Sequence, residues 1–315
     1  MIKNSTISNL VKSVSNIHKP TGEFNIFVFT MPRSGSTWLM EILTAEDKFK
    51  YCNEPFYLRS ASVRKYSKLN NPEDVHDPKK LKLIHAYFDG FCKGKLGFMN
   101  PNPFSSSYRF RTSRIVFKVI HGGEEYIDWF KENFNGRIIF MIRHPIAVSV
   151  SREQLPRTEA MITSAYARFF SDEQISLAKK IIKEGSFFEK AVVDWCLQNY
   201  VPLKQRKDDW IFLTYEQLVV EPEKVLAHLT EKLNLKQTQS MMENLTKPSG
   251  VLRLSDSETQ HLLQDQSSNR NVLISKWKKK VTPEMEDACW GILQAFDIDV
   301  YSRDSFMPKK DYLIP

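Results

Sequence analysis

Residues Phe24 to Leu39 constrain the fold more than any other stretch of the chain. Ile26 to Thr30 is a run of apolar and β-favouring residues that reads as a buried strand. Pro32 and Gly35 break it into a tight loop. From Ser36 the spacing of Trp38, Leu39, Ile42 and Leu43 predicts a helix with one apolar side. A strand that passes through a small-residue loop into a helix N-terminus collects free backbone N–H groups and the positive end of the helix at one point. Arg33 adds a cation there, and the hydroxyls of Ser34, Ser36 and Thr37 add donors. Gly and Ser alone would mark an ordinary strand-to-helix turn of an α/β protein. With Arg33 and the three hydroxyls, the stretch predicts a site for a phosphate-type anion. The nucleotide loop G-x-x-x-x-G-K-[ST] is absent: its first Gly, its Lys and the magnesium-binding hydroxyl after it are all missing.

The rest of the chain alternates. Lys48 to Asn53 reads as a short strand closing at Glu54-Pro55, Arg114 to Ile120 as a strand ending at His121-Gly122-Gly123, Arg137 to Ile142 as one ending at Arg143-His144-Pro145, and Asp209 to Thr214 as one followed by Tyr215-Glu216. Between them helical patterns run over Pro78–Cys92, Glu124–Asn133, Pro145–Glu153, Ile162–Gly185, Phe187–Lys204 and Glu221–Leu233. Strands alternating with helices predict an α/β fold in three layers, a mostly parallel sheet with helices on both faces. We read residues 1–315 as a single domain with an N-terminal extension (1–22), an insert (56–113) and a helical C-terminal part (234–315). The insert has aromatic residues between basic ones and little regularity, including a turn-rich run through Ser105, Ser106 and Ser107. It is either an acceptor-binding wall or a solvated flap with a few core anchors.

Arg33, Glu54, His121, Arg143 and Tyr215 each follow the carboxyl end of an expected strand. In a parallel sheet those ends share one edge, where ligands bind at a topological switch point. Each residue has an unremarkable alternative: Arg-x-Pro is a common helix start, Glu54 is a candidate surface loop residue, and Trp38 is equally a core anchor. Their convergence on one edge is what points to a site.

Composition narrows the partners. The formal charge of +8 favours an anionic ligand. The basic residues are scattered and form no helix-turn-helix or RNA-binding signature, so nucleic acid is not expected. Cys52, Cys92, Cys196 and Cys289 lie far apart without metal-ligand spacing and read as reduced thiols of a cytoplasmic protein. No apolar run approaches the ~20 residues of a membrane span, and Met1 to Pro20 lacks the apolar core of a signal peptide. Peripheral contact with a membrane stays open.

Arg33-Ser34-Gly35-Ser36-Thr37-Trp38 resembles the 5′-phosphosulfate loop of sulfotransferases that use 3′-phosphoadenosine 5′-phosphosulfate (PAPS). The resemblance extends to the expected P-loop-like fold and runs from Phe24 to about Thr282. It implies that Arg33 to Trp38 hold the sulfonate donor, with Trp38 and Tyr215 against the adenine. Arg143 and Ser151, eight residues apart after a strand, match the 3′-phosphate site, with Ser149 as a second nearby hydroxyl. Arg270, with Trp277 seven residues on, matches a segment that closes over the same phosphate, although Asn271 and Val272 replace the family's Lys and Gly. The polar N-terminus sets this chain apart from the membrane-anchored Golgi members, so an anchor is not expected. No metal is expected.

Sulfonate transfer is an in-line displacement that needs a base for the acceptor proton and cations on the leaving oxygens. Arg33 and Lys118 are the expected cations. Glu54, which lies 21 residues after Arg33 as the base does in tyrosylprotein sulfotransferases and stands in a Glu-Pro pair like that of many carbohydrate sulfotransferases, is the expected base. Pro55 is expected to hold it extended. His121 is the alternate base, but its Lys-x-x-His spacing differs by one residue from the Lys-x-His of the cytosolic enzymes, which would turn its side chain to the other face of a strand. The acceptor is expected to be the hydroxyl of a saccharide or glycolipid. The rival readings are sulfation of a small phenol or alcohol, a P-loop-like kinase, and a non-catalytic nucleotide-binding protein.

Overall fold

The structure, a computed structural model, describes residues 2–105, 108–245 and 270–315. The expectations placed on Ser106 and Ser107, and on the part of the C-terminal region from 246 to 269, lie outside those residues. Among the described residues seven strands follow in order: β1 Ile17–His18, β2 Asn25–Phe29, β3 Phe49–Asn53, β4 Arg111–Thr112, β5 Arg114–Val119, β6 Gly136–Ile142 and β7 Ile211–Thr214. Five of them form one sheet in the order β3-β5-β2-β6-β7, and every neighbouring pair is parallel. The fold is the expected α/β architecture.

Strand β2 is buried along its whole length because its two faces serve two cores. Phe27 and Phe29 point into the larger one with Phe117 and Phe140. The Phe27 and Phe117 rings stack at 4.6 Å between centroids, and the helices Leu81–Cys92 and Phe187–Gln205 cover this side. Ile26 and Val28 point the other way, into a core with Leu39, Leu43, Val116 and Met141. The helices Ser36–Leu43, Pro222–Lys232 and Thr238–Leu245 close that face. Each fully buried Phe or Leu contributes about 1.5–3 kcal/mol of hydrophobic stabilisation, so the alternation along β2 fixes which residues the sheet can present at its edge.

Several boundaries differ from expectation. The helix after β6 spans only Pro145–Ser149. Beyond it Arg152 turns inward to place Nη2 3.0 Å from Asp194 Oδ2, an ion pair buried against the helix Phe187–Gln205. The helix expected over Ile162–Gly185 is instead Thr158–Thr163, a 3-10 turn Ala165–Phe169 and a helix Asp172–Glu184. The Ser164 and Ser171 hydroxyls each accept from the next element's first turn and so restart the chain. Tyr215 opens a helix, Tyr215–Val220, capped by the Thr214 hydroxyl. The N-terminal stretch is part of the fold: Ile2–Ser15 is helical, and β1 pairs in parallel with β4.

Candidate active site

Arg33, Glu54, His121, Arg143 and Tyr215 all follow carboxyl ends of the sheet's strands, as the sequence predicts. At three of them the backbone is left-handed, with φ of 75° at Arg33, 56° at Glu54 and 72° at His121. These residues follow β2, β3 and β5, which are adjacent in the sheet. A non-glycine residue held there costs about 1–3 kcal/mol, and that strain is concentrated on one edge, where it brings His121 and Glu54 together. The expectation that Pro55 keeps Glu54 extended is therefore wrong. The Glu54 amide donates to the Lys118 carbonyl at 3.0 Å and the Tyr57 amide to the Glu54 carbonyl at 2.9 Å, and these bonds hold the tight turn against the proline's preference.

Lys118 is buried on β5, where it pairs in register with Asn53. Its Nζ donates to Thr37 Oγ1 and to Glu54 Oε1, each at 3.0 Å. His121 Nε2 lies 3.6 Å from the other oxygen, Glu54 Oε2, within ion-pair range but beyond a hydrogen bond. Burial alone would raise the Glu54 pKa. The contact with His121 and the charge and hydrogen bond of Lys118 outweigh it and hold the carboxyl at about 2. The concern over His121's spacing does not apply either. β5 ends at Val119, so strand parity no longer governs His121, and its left-handed turn returns the ring to the same carboxylate.

The loop from Arg33 to Trp38 leaves polar groups free of partners within it. The earliest bonds closing it onto the helix are from the Trp38 and Leu39 amides to the Gly35 carbonyl, at 3.0 and 3.2 Å, so the preceding amides of the first turn have no intrahelical acceptor. Ser34 Oγ is buried without a partner among the described residues. Gly35 has φ of 84°, and a Cβ there would come within 2.4 Å of Tyr215 Cδ2. That close approach seats the Tyr215 ring on the loop. Ser36 is buried in the first turn of the helix. Trp38 is buried in the smaller core, its indole N–H donating to the Asn244 carbonyl at 3.2 Å and its ring edge-on to Tyr215 at 6.5 Å.

Arg143 joins the two halves of the edge. Its Nη1 donates to the Arg33 carbonyl at 3.0 Å, its guanidinium lies 4.1 Å over the Tyr215 ring, and its Nε is buried without a partner among the described residues. Ser149 Oγ is likewise buried and unpartnered, whereas Ser151, past the helix end, donates to the Val148 carbonyl at 2.8 Å. Two struts behind this turn were not singled out from the sequence. Glu216, buried, accepts from the His144 amide at 2.9 Å and from the Tyr301 hydroxyl at 2.7 Å. The His144 ring stacks on Trp277 at 4.6 Å, which brings the C-terminal segment against the Arg143 turn. The adjoining Tyr215-Glu216 pair was a visible signal for the first strut; nothing in the sequence pairs His144 with Trp277. Arg270 precedes the helix Asn271–Ser275 and borders the undescribed stretch; no hydrogen bond or ion pair joins it to the other site residues among those described.

Beside this edge lies a cavity of about 500 Å³. It takes Arg33, His121 and Ser151 from the candidate site, but none of Ser34 to Trp38. Phe56, Tyr57 and Leu58 form an apolar side, with the Tyr57 ring 5.8 Å from His121.

The model of the sulfotransferase domain family matches residues 24–295. The chain belongs to the sulfotransferase domain family. Comparison with curated proteins finds no match. Among solved structures it is similar to the sulfotransferase domain from the curacin biosynthetic pathway, at 17% identity over 88% of this chain and 98% of that one, with a TM-score of 0.45. Likeness to the sulfotransferase domain of the Synechococcus PCC 7002 olefin synthase is at 16% identity, covering 90% and 98% of the chains with a TM-score of 0.46. Mouse sulfotransferase SULT7A1 complexed with PAP is similar at 14% identity, over 92% and 89%, with a TM-score of 0.44.

In this sulfotransferase no helix among the described residues is long and apolar enough to cross a membrane, and all four cysteines are free. His76, Glu124 and Glu125 approach one another closely enough to ligate a cation. Arg157 already fills that place, with its guanidinium 2.6 and 2.8 Å from the Glu124 oxygens and 3.2 Å from His76 Nε2.

Proposed function

We propose that this sulfotransferase moves the sulfonate of PAPS to the hydroxyl of a saccharide or glycolipid, with Glu54 as the base. The observation that carries the reading is Lys118, whose single ammonium touches both the loop hydroxyl of Thr37 and the carboxylate of Glu54. The donor fits the residues present: unsatisfied Ser34 Oγ, Ser149 Oγ and Arg143 Nε are buried polar atoms awaiting an anionic acceptor of hydrogen bonds. Arg33, Ser34, Gly35, Ser36 and Thr37 would hold the 5′-phosphosulfate. Arg143, a serine of the Ser149–Ser151 turn and Arg270 would hold the 3′-phosphate, and Tyr215 and Trp38 would border the base. PAPS supplies a sulfonate activated by its bond to phosphate.

The chain's own part is orientation, charge and proton handling. Glu54, ionised at any physiological pH, accepts the acceptor's hydroxyl proton as the new O–S bond forms and the S–O bond to phosphate breaks. A carboxylate this acidic is a weak base toward an alcohol, so the proton moves late, once the attacking oxygen has become acidic through bonding to sulfur. Lys118 and Arg33 take up the negative charge left on the phosphate. Tyr57 offers an aromatic face for a sugar ring. His121 is the second candidate base, on the strength of its contact with Glu54. Glu54→Gln should lose at least about 100-fold in turnover, the usual range for a general base, with PAP affinity within about threefold of wild type by calorimetry. Near-normal turnover in Glu54→Gln together with its loss in His121→Ala would transfer the role to His121.

A further inference from the structure

The cavity beside the reaction edge holds Arg33, Arg59, Arg64, Arg152 and Arg157 against one acidic side chain, Glu153, among the described residues. The two buried arginines are already neutralised, Arg152 by Asp194 at 3.0 Å and Arg157 by Glu124 at 2.6 Å. Arg33 belongs to the donor loop. Arg59 and Arg64 are left: both are exposed, and neither has a carboxylate partner among the described residues. They flank Ser60, whose hydroxyl accepts from the Val63 amide to start the helix Ala61–Ser67, and Arg64 donates to the Leu58 carbonyl. Both guanidinium groups thus spring from an ordered turn on the cavity wall. The charge continues outward, because a neighbouring hollow of about 420 Å³ shares Arg64 and Asn70 with the cavity and adds Lys65 and Lys68.

Cations of one sign gathered at a cavity mouth repel one another unless a ligand matches them, and a guanidinium matches planar oxyanions best. We propose that the acceptor carries, besides its reacting hydroxyl, a carboxylate or sulfate group bound by Arg59 and Arg64, so that the enzyme acts on acidic saccharides in preference to neutral ones. The inference rests on the reading of the site given above. It adds two specificity residues outside the donor loop and the base.

A matched pair of probes tests it. 4-Nitrophenyl β-glucuronide and 4-nitrophenyl β-glucoside differ only in a carboxylate against a hydroxymethyl group. With PAP saturating, wild type should bind the glucuronide about tenfold more tightly, the equivalent of one modest charge-assisted contact. The preference should shrink with added salt and vanish in the Arg59→Ala/Arg64→Ala variant, whose PAP affinity stays at the wild-type value. Equal binding of the two probes, no binding of either, or a preference that survives in the variant would overturn the inference while leaving the sulfotransferase reading intact. Failure of the wild type to bind PAP at all would sink both.

Discussion

At the Glu54 carboxylate, His121 and the ammonium that Lys118 shares with Thr37 act together, and their joint pull shows in how Glu54 titrates. The carboxyl of Glu54 is held at about 2, against 4.5 for an unperturbed glutamate, despite the burial that opposes it. A native pKa below the unfolded one means that the unfolded chain takes up the proton first as pH falls. The stabilisation is therefore complete above about pH 4.5 and drains away toward pH 2. At roughly 1.4 kcal/mol per pH unit, His121 and Lys118 together, net of burial, are worth about 3 kcal/mol at neutral pH. Urea unfolding of wild type and Glu54→Gln should give a constant gap above pH 5 that narrows below it; a gap independent of pH would refute the coupling. Gly35 makes a different demand. Its φ of 84° and the 2.4 Å approach to Tyr215 leave no room for a Cβ. Gly35→Ala should cost about 1–3 kcal/mol from backbone strain, and should lower PAP affinity because Tyr215 must move off the loop. An unchanged melting temperature with unchanged PAP binding would contradict this.

Elements were legible where one physical signal dominated. The apolar runs Ile26–Thr30 and Arg137–Ile142 gave strands within a residue of those observed, since burial on both faces leaves little else for such a run to be. The carboxyl ends of all five expected strands placed five site residues on one edge of the sheet. What stayed hidden were the pairings: only the register of Asn53 opposite Lys118 brings Glu54 to the ammonium, and no local pattern encodes a register between strands so far apart in sequence. Left-handed Glu54 before Pro55 ran against local preference, which is where function is expected to override it. The helix expected over Pro145–Glu153 failed for a tertiary reason, the pull of Asp194 on Arg152. The stack of His144 on Trp277 has a measurable consequence. Burial, then the charges of Arg143 and Lys278, lowers the His144 pKa to about 3, from 6.5. The unfolded chain gains this proton and the native one does not, so stability falls as pH drops from about 6.5 toward 3. His144→Phe, which keeps the aromatic stack and removes the proton site, should flatten the slope of unfolding free energy between pH 6 and 4 by about 1.4 kcal/mol per pH unit. An unaltered slope would place the proton elsewhere.

For the whole molecule, the surprise is how the N-terminal residues are used. A polar stretch without an apolar core resembles a dispensable extension, yet its residues complete a buried site around Lys50 on β3. Lys50 is 3% exposed and has no carboxylate partner among the described residues. Its ammonium donates instead to Asn16 Oδ1 at 3.2 Å and Asn100 Oδ1 at 2.8 Å, and burial lowers its pKa to about 8. Asn16 Nδ2 also donates to the Arg109 carbonyl at 2.7 Å, and Asn100 Nδ2 to the Lys12 carbonyl at 3.0 Å, so the N-terminus ties both ends of the irregular part of the insert to the sheet. Removing residues 1–19 would strip β4 of its partner and leave Lys50 short of an acceptor. An unsatisfied buried charge costs several kcal/mol unless water or deprotonation relieves it. The truncated chain should therefore melt several degrees lower and become cleavable by trypsin near Arg109 and Arg111, while β2 and its two cores persist. Asn16→Asp should act in the opposite sense, because a carboxylate beside Lys50 supplies the missing counter-charge: its unfolding free energy should exceed that of Asn16→Ala, and the gap should shrink as pH rises through the Lys50 titration and the ammonium loses its charge. Truncation without change in melting temperature or in protease sensitivity would show that the contacts from Asn16 to the insert are incidental.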